Sequence, residues 1–162
     1  MSNPNFIPNI QSLILDMDGV LWRDQEPIGN LPAIFARIHA LGLRTILATN
    51  NATRTVASYL EKLAGFGVYL EPWQIITSSQ ATAQYLQQQH PQGGPVFVVG
   101  ETGLLDALRE KGFTPETDSD LAEPAVHTVV AGMDRHLTYA KLARATLLIR
   151  AGAAFVGTNP EA

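Results

Sequence analysis

The residues best equipped for chemistry begin at Asp16-Met17-Asp18-Gly19-Val20-Leu21, directly after the apolar run Leu13-Ile14-Leu15. In an open parallel sheet, ligands bind beyond the carboxyl ends of the strands, which is where both aspartates would stand. A carboxylate there can attack phosphorus, provided a cation offsets its repulsion from an anionic phosphate. Mg²⁺ suits that task, being a hard ion that keeps waters beside one or two carboxylates. Asp18, two positions on, can hand a proton to the leaving oxygen and later take one from water. Gly19 permits a sharp turn that aims backbone N–H groups at the phosphate. The plainer alternative is an Asp-rich turn that only caps a strand. A calcium loop is excluded by spacing: it requires a ligand at its fifth position, Gly at the sixth and Glu at the twelfth, where this chain has Val20, Leu21 and Pro27.

A second group, Ala48-Thr49-Asn50-Asn51, also follows an apolar run and precedes a helical pattern. A Thr hydroxyl beside exposed N–H groups at a helix start forms an anion site suited to phosphate oxygens, although Thr-Asn at such a place also serves as an ordinary cap.

The elements that must position these residues alternate between strand-length apolar runs and segments of helical period, the pattern of an α/β protein with a largely parallel sheet. Leu13-Ile14-Leu15 reads as a buried strand. The next helix carries Leu31, Ile34, Phe35, Ile38 and Leu41 on one face, with Pro32 in its first turn and Gly42 as its stop. Strand 43–48 follows, then a helix capped by Asn51 or Thr53 and running to about Ala64. Thr77-Ser78-Ser79 starts a helix reaching about Gln89, and the tract from Gln87 to Pro95 reads as an exposed break. Beyond it the pattern gives strand 96–99, helix 104–111, an acidic loop 114–124, strand 126–131, helix 138–150 and strand 154–156.

Composition narrows the function. The 162 residues carry a formal charge of −4, are 46% hydrophobic and include no cysteine, which suits a globular core and excludes disulfides and thiolate metal sites. Three lysines and eight arginines are scattered singly, so there is no basic stripe for nucleic acid. The first residues lack the pattern of a signal peptide and no apolar run is long enough to span a bilayer, so the expected location is cytoplasmic.

Taken together, the motifs resemble the haloacid dehalogenase superfamily, whose first motif is Asp-x-Asp-Gly after the first strand and whose second is a Thr or Ser ending a later one. The series Leu15 to Leu21, Ala48 to Asn51, Val98-Val99-Gly100-Glu101, Val129 to Asp134 and Gly157-Thr158-Asn159-Pro160-Glu161 is similar, in order, to the NagD-like, p-nitrophenylphosphatase-type subfamily. The resemblance implies an α/β fold: a Rossmann-like parallel core, incomplete here, occupying residues 1–77, and an inserted α/β cap over 78–162. It implies Asp16 as the phosphorylated nucleophile and first Mg²⁺ ligand, and Asp18 as the acid/base whose carbonyl also binds the metal. Thr49 and Asn50, with the Gly19 turn, would hold the phosphate. Asp134, Arg135 and His136 fall on the cap, where the rest of the substrate is read; an exposed polar turn is their plainer reading.

The family also carries, after the cap, a charge-offsetting Lys and a Gly-Asp-x-x-x-Thr-Asp stretch that completes the metal site. Neither follows in this sequence, which ends at Ala162, so the expectation is a truncated chain with apolar sheet edges exposed. A rival reading makes it a complete, compact phosphatase with Lys111 and Asp134 as stand-ins. The functional expectation is a Mg²⁺-dependent phosphomonoester hydrolase acting on a small phosphorylated metabolite. Its alternative is a non-catalytic module that self-associates through cap or sheet edges. Gly100 to Gly103 lacks the ending of a nucleotide-binding P-loop and reads as a plain turn, and His39, His90 and His127 read as isolated.

Overall fold

A computed structural model describes residues 10–117 and 126–160. The first residues and most of the acidic loop lie outside the described residues. The chain divides into two compact units, Met1–Thr49 with Leu60–Ile76, and Asn50–Tyr59 with Thr77–Ala162.

The first unit is built on a three-stranded sheet of order β1-β4-β5, formed by β1 (Ser12–Asp16), β4 (Arg44–Thr49) and β5 (Ile75–Thr77). β1 and β4 run parallel with Leu13 opposite Thr45 and Asp16 opposite Ala48. Between them come a small antiparallel pair, β2 (Trp22–Arg23) and β3 (Glu26–Pro27), which the sequence pattern did not disclose, and α1 (Leu31–Ala40). Asn30 caps α1 by accepting from the Ala33 N–H at 3.1 Å, and Gly42 leaves it at a φ of +72°, a conformation that costs glycine little. α2 (Val56–Gly65) begins later than expected. Thr55 caps it through the Ser58 N–H at 3.2 Å, while the Asn51 carboxamide oxygen is engaged by the N–H and hydroxyl of Thr53.

Two expectations fail here. Leu13-Ile14-Leu15 is not a buried strand, since Ile14 is 74% exposed; among the described residues β1 is an edge strand, paired with β4 alone. Of the apolar face expected on α1, only Leu31 is fully buried, with Ile34 and Leu41 exposed, because so small a sheet offers little surface to cover them.

In the second unit, four parallel strands run in the order β7-β6-β8-β9: β6 (Gly94–Val99), β7 (Phe113–Glu116), β8 (Thr128–Ala131) and β9 (Ala154–Gly157). α3 (Ser78–Gln89), α4 (Thr102–Glu110) and α5 (Tyr139–Arg150) accompany them. Thr77 caps α3 with a full capping box to Gln80, the reciprocal bonding that starts a helix sharply. β6 is buried on both faces and sorts its side chains by alternation. Val96 and Val98 join Leu86 of α3 and Leu104 and Leu108 of α4, while Phe97 and Val99 join Val129 of β8 and Ala145 of α5. The sequence expected a loop from Thr114; instead Phe113–Glu116 pairs with β6, because Phe113 is a core residue. Residues 50–59 belong with this unit for a local reason: Ser79 Oγ donates to the Ala52 carbonyl at 3.0 Å and the Gly103 N–H to the Thr53 carbonyl at 3.2 Å.

Candidate active site

Parallel pairing brings Asp16 and Thr49 to the carboxyl end of one sheet. Asp16 sits opposite Ala48, so Thr49 lies one residue past that register. The Asp16 side chain is exposed, with Oδ1 accepting from the Met17 N–H at 2.8 Å. Thr49 is buried and ends β4, and Asn50 is the next residue, exposed at the start of the second unit.

After Asp16 the backbone makes a single tight turn. The Leu21 N–H reaches the Met17 carbonyl at 2.9 Å and the Gly19 N–H reaches the Trp22 carbonyl at 2.8 Å. Gly19 has a φ of +83°, so its conformational role is as expected. Its N–H, however, is committed inside the turn and does not face outward for a phosphate. The turn also folds Trp22 back onto Asp18, whose Oδ1 accepts the indole Nε1–H at 2.8 Å.

The three residues assigned to substrate reading in the second unit are largely engaged with the protein itself. The Asp134 side chain is 2% exposed, its Oδ2 accepting from Lys141 Nζ at 2.6 Å and its Oδ1 from the His136 N–H at 2.9 Å. Each oxygen already has a partner, and among the described residues no group of acids or histidines stands with Asp134 to complete the metal site of the rival reading. Arg135 is clamped on Glu101 through its backbone N–H at 2.8 Å, Nε at 2.9 Å and Nη2 at 2.5 Å. Those hydrogen bonds hold the Glu101 carboxyl down at about 2 against the opposing effect of burial, and raise the Arg135 guanidinium in turn. His136 is exposed, with only its backbone N–H engaged by Asp134. Lys111, the other stand-in of the rival reading, terminates α4. Gly100 to Gly103 is a strand-to-helix turn, as read, but sequence reasoning missed Glu101 as the partner of Arg135. Glu101 immediately precedes α4 and makes no side-chain cap bond there, and no local pattern links it to a residue 34 positions on.

His90 and His127 are not isolated: their rings stack with centroids 4.0 Å apart. Desolvation first, and the neighbouring His90 second, push His127 below the usual imidazole range.

Among the described residues, no group of three or more His, Cys, Asp or Glu side chains could hold a metal, and no helix is long and apolar enough to cross a membrane. The first unit holds an open cavity of about 450 Å³ lined by Phe35, His39, Leu43, Thr45, Tyr69 and Gln74 among others. It lies at the amino end of β4, away from Asp16 and Thr49.

Residues 13–114 match the model of the haloacid dehalogenase-like hydrolases. The chain belongs to that family. Relatives place this haloacid dehalogenase-like chain in the NagD-like branch. It is 34% identical over 151 residues, 93% of its length, to the acid sugar phosphatase of Staphylococcus aureus. Among solved structures it resembles NagD of E. coli K-12, with 29% identity, a TM-score of 0.78, and 94% of this chain and 57% of that one covered. It also resembles the glycerol phosphate phosphatase of Mycobacterium tuberculosis, solved in complex with magnesium, with 28% identity, a TM-score of 0.80, and 94% and 44% coverage. The chain spans 56% of the length of the acid sugar phosphatase it matches.

Proposed function

We propose that this chain carries the nucleophile-bearing part of a Mg²⁺-dependent phosphomonoester hydrolase acting on a small phosphorylated metabolite of the sugar-phosphate type. The supporting observation is the exposed Asp16 carboxylate at the carboxyl end of β1, in parallel register with the strand that ends in Thr49. Residues 1–77 would form the core of the hydrolase and residues 78–162 its cap.

The donor set fits Mg²⁺. Asp16, through Oδ1, and the backbone carbonyl of Asp18 are hard oxygens at one turn that would hold the ion, and Asp16 Oδ2 is left for attack on phosphorus. These two protein oxygens would supply part of the coordination of an ion that takes further oxygens, water and phosphate for the rest. When bound, the ion supplies charge neutralisation between the carboxylate and the dianionic phosphate. Asp16 Oδ2 attacks phosphorus, the P–O bond to the leaving group breaks, and an aspartyl phosphate forms. Asp18 gives its proton to the departing oxygen, then takes one from the water that hydrolyses the acyl phosphate, restoring Asp16 and releasing inorganic phosphate. The hydroxyl of Thr49 and the backbone at Asn50 bind the phosphate oxygens. Of the three loop residues expected to read substrate, His136 is the one whose side chain stays exposed outside the ion pairs, while Asp134 and Arg135 shape the loop that carries it.

Hydrolysis of p-nitrophenyl phosphate with Mg²⁺ and with EDTA, beside Asp16→Asn, tests the reading: turnover must need both the metal and Asp16. A second reading is favoured by the exposure of Ile14 (74%) and Phe155 (59%) on the edge strands β1 and β9. There the chain is a non-catalytic module that self-associates through sheet edges. Mass that rises with concentration, without turnover, would support it.

A further inference from the structure

We propose that Trp22 is a positioning residue for Asp18, holding the carboxylate through its indole N–H so that one oxygen is fixed and the other is left to carry the proton. The proposal rests on the reading of Asp18 as the acid/base. Three observations converge on it. The turn 17–22 places residues four apart on one side, and Trp22 Nε1 donates to Asp18 Oδ1 at 2.8 Å. Asp18 itself is exposed whereas Trp22 is fully buried, so a mobile, solvated carboxylate is tied to an anchored ring. Asp18 Oδ2 takes no hydrogen bond among the described residues.

The ring is held from above as well. Lys62 Nζ lies 4.4 Å from the Trp22 ring centroid and donates to the Asp24 carbonyl at 2.5 Å. Asp24 turns the β2–β3 pair with a φ of +49°. Lys62 on α2 therefore pins both the indole and the hairpin that carries it. A cation over the face of an indole draws on the ring's π density, which strengthens the N–H as a donor. Phe66 flanks the same ring, with centroids 6.0 Å apart. Removing the N–H while keeping an aromatic ring frees the carboxylate to rotate, and the step that suffers is proton delivery to the leaving group.

That consequence separates positioning from mere packing. A p-nitrophenolate leaves without protonation, whereas the alkoxide of glycerol phosphate does not, and kcat/KM reports the phosphorylation half-reaction in both cases. In Trp22→Phe, kcat/KM for glycerol phosphate should fall roughly tenfold more than for p-nitrophenyl phosphate, the scale of a lost hydrogen bond to a charged group. Lys62→Met, which leaves the indole in place, should shift the same ratio in the same direction by less, and covers the case in which Trp22→Phe folds poorly. Equal losses on both substrates overturn the proposal. A direct readout needs no turnover: in the ¹H–¹⁵N spectrum of the full chain, the Trp22 indole N–H should move upfield in Asp18→Ala, and an unmoved resonance also overturns it. Absence of wild-type hydrolysis with a responsive indole signal would instead count against the phosphatase reading on which the catalytic consequence depends.

Discussion

The pair Lys141–Asp134 decides whether the loop after β8 is held from within or offers its acid outward. The Asp134 side chain is 2% exposed, the Lys141 side chain 15% exposed, and their charged atoms lie 2.6 Å apart. At an effective dielectric of 20 the attraction at that separation is about 6 kcal/mol, most of which offsets the cost of removing both groups from water. Breaking such a pair on one side leaves the other charge buried, a loss of about 3–5 kcal/mol. Lys141→Met retains the aliphatic stem and strands the Asp134 carboxylate with the His136 N–H. Its loss should fall near the lower end, about 3 kcal/mol, because Lys141 keeps some contact with water. Asp134→Asn, which retains shape and removes the charge, should lose less, about 1–2 kcal/mol. The double variant should lose less than the sum of the two. Equilibrium urea denaturation measures all three. A Lys141→Met change within about 0.5 kcal/mol of wild type, the usual range for a surface substitution, would refute the pairing argument and return Asp134 to the list of outward-facing ligands.

Acid should destabilise the second unit in two stages. His127 is depressed below 6.5 by burial and by His90, so the unfolded chain binds the extra proton, and stability present at neutral pH is lost as pH falls below that value. Melting at pH 7.5 and 5.5 should show the loss, and His90→Phe, which keeps a ring against His127, should reduce it. Glu101 is depressed from 4.5 to about 2, so its contribution is present above 4.5 and lost as pH falls toward 2; Glu101→Gln should remove that lower stage from an acid-unfolding curve. A Cβ at residue 103 would stand 2.4 Å from the Arg54 carbonyl oxygen. Gly103→Ala should therefore cost about 1–3 kcal/mol by denaturant titration, and a neutral result would show that the 52–54 segment yields freely.

How much was legible in the sequence varies by element and for physical reasons. β6 and its helices were readable because Val96 to Val99 is a continuous apolar run, buried on both faces, between segments of helical period. The β2–β3 pair was not, since two-residue strands have no periodicity to detect. β7 was hidden by Pro115 and by the acidic residues after it; only the burial of Phe113 reveals its partner. At the candidate site the Asp16, Asp18 and Thr49 positions follow from strand ends and short motifs. What spacing could not supply were the side-chain partners: Trp22 on Asp18, Glu101 on Arg135 and Lys141 on Asp134. The last two join residues 34 and 7 apart through tertiary structure. The Trp22 contact alone had a local signal, an indole four residues after the acid. His90 and His127 looked unrelated for the same reason, being joined only when the end of α3 meets the start of β8.

Phosphoryl trapping on Asp16 bears most directly on the central claim. The full chain is incubated with p-nitrophenyl phosphate and Mg²⁺, quenched in acid and mapped by mass spectrometry, with EDTA and Asp16→Asn samples alongside. A phosphoryl group on the peptide containing Asp16, absent in both controls and accompanied by released p-nitrophenol, is the expected result. Hydrolysis that persists in Asp16→Asn, or a phosphoryl group carried on any other residue, would contradict the assignment.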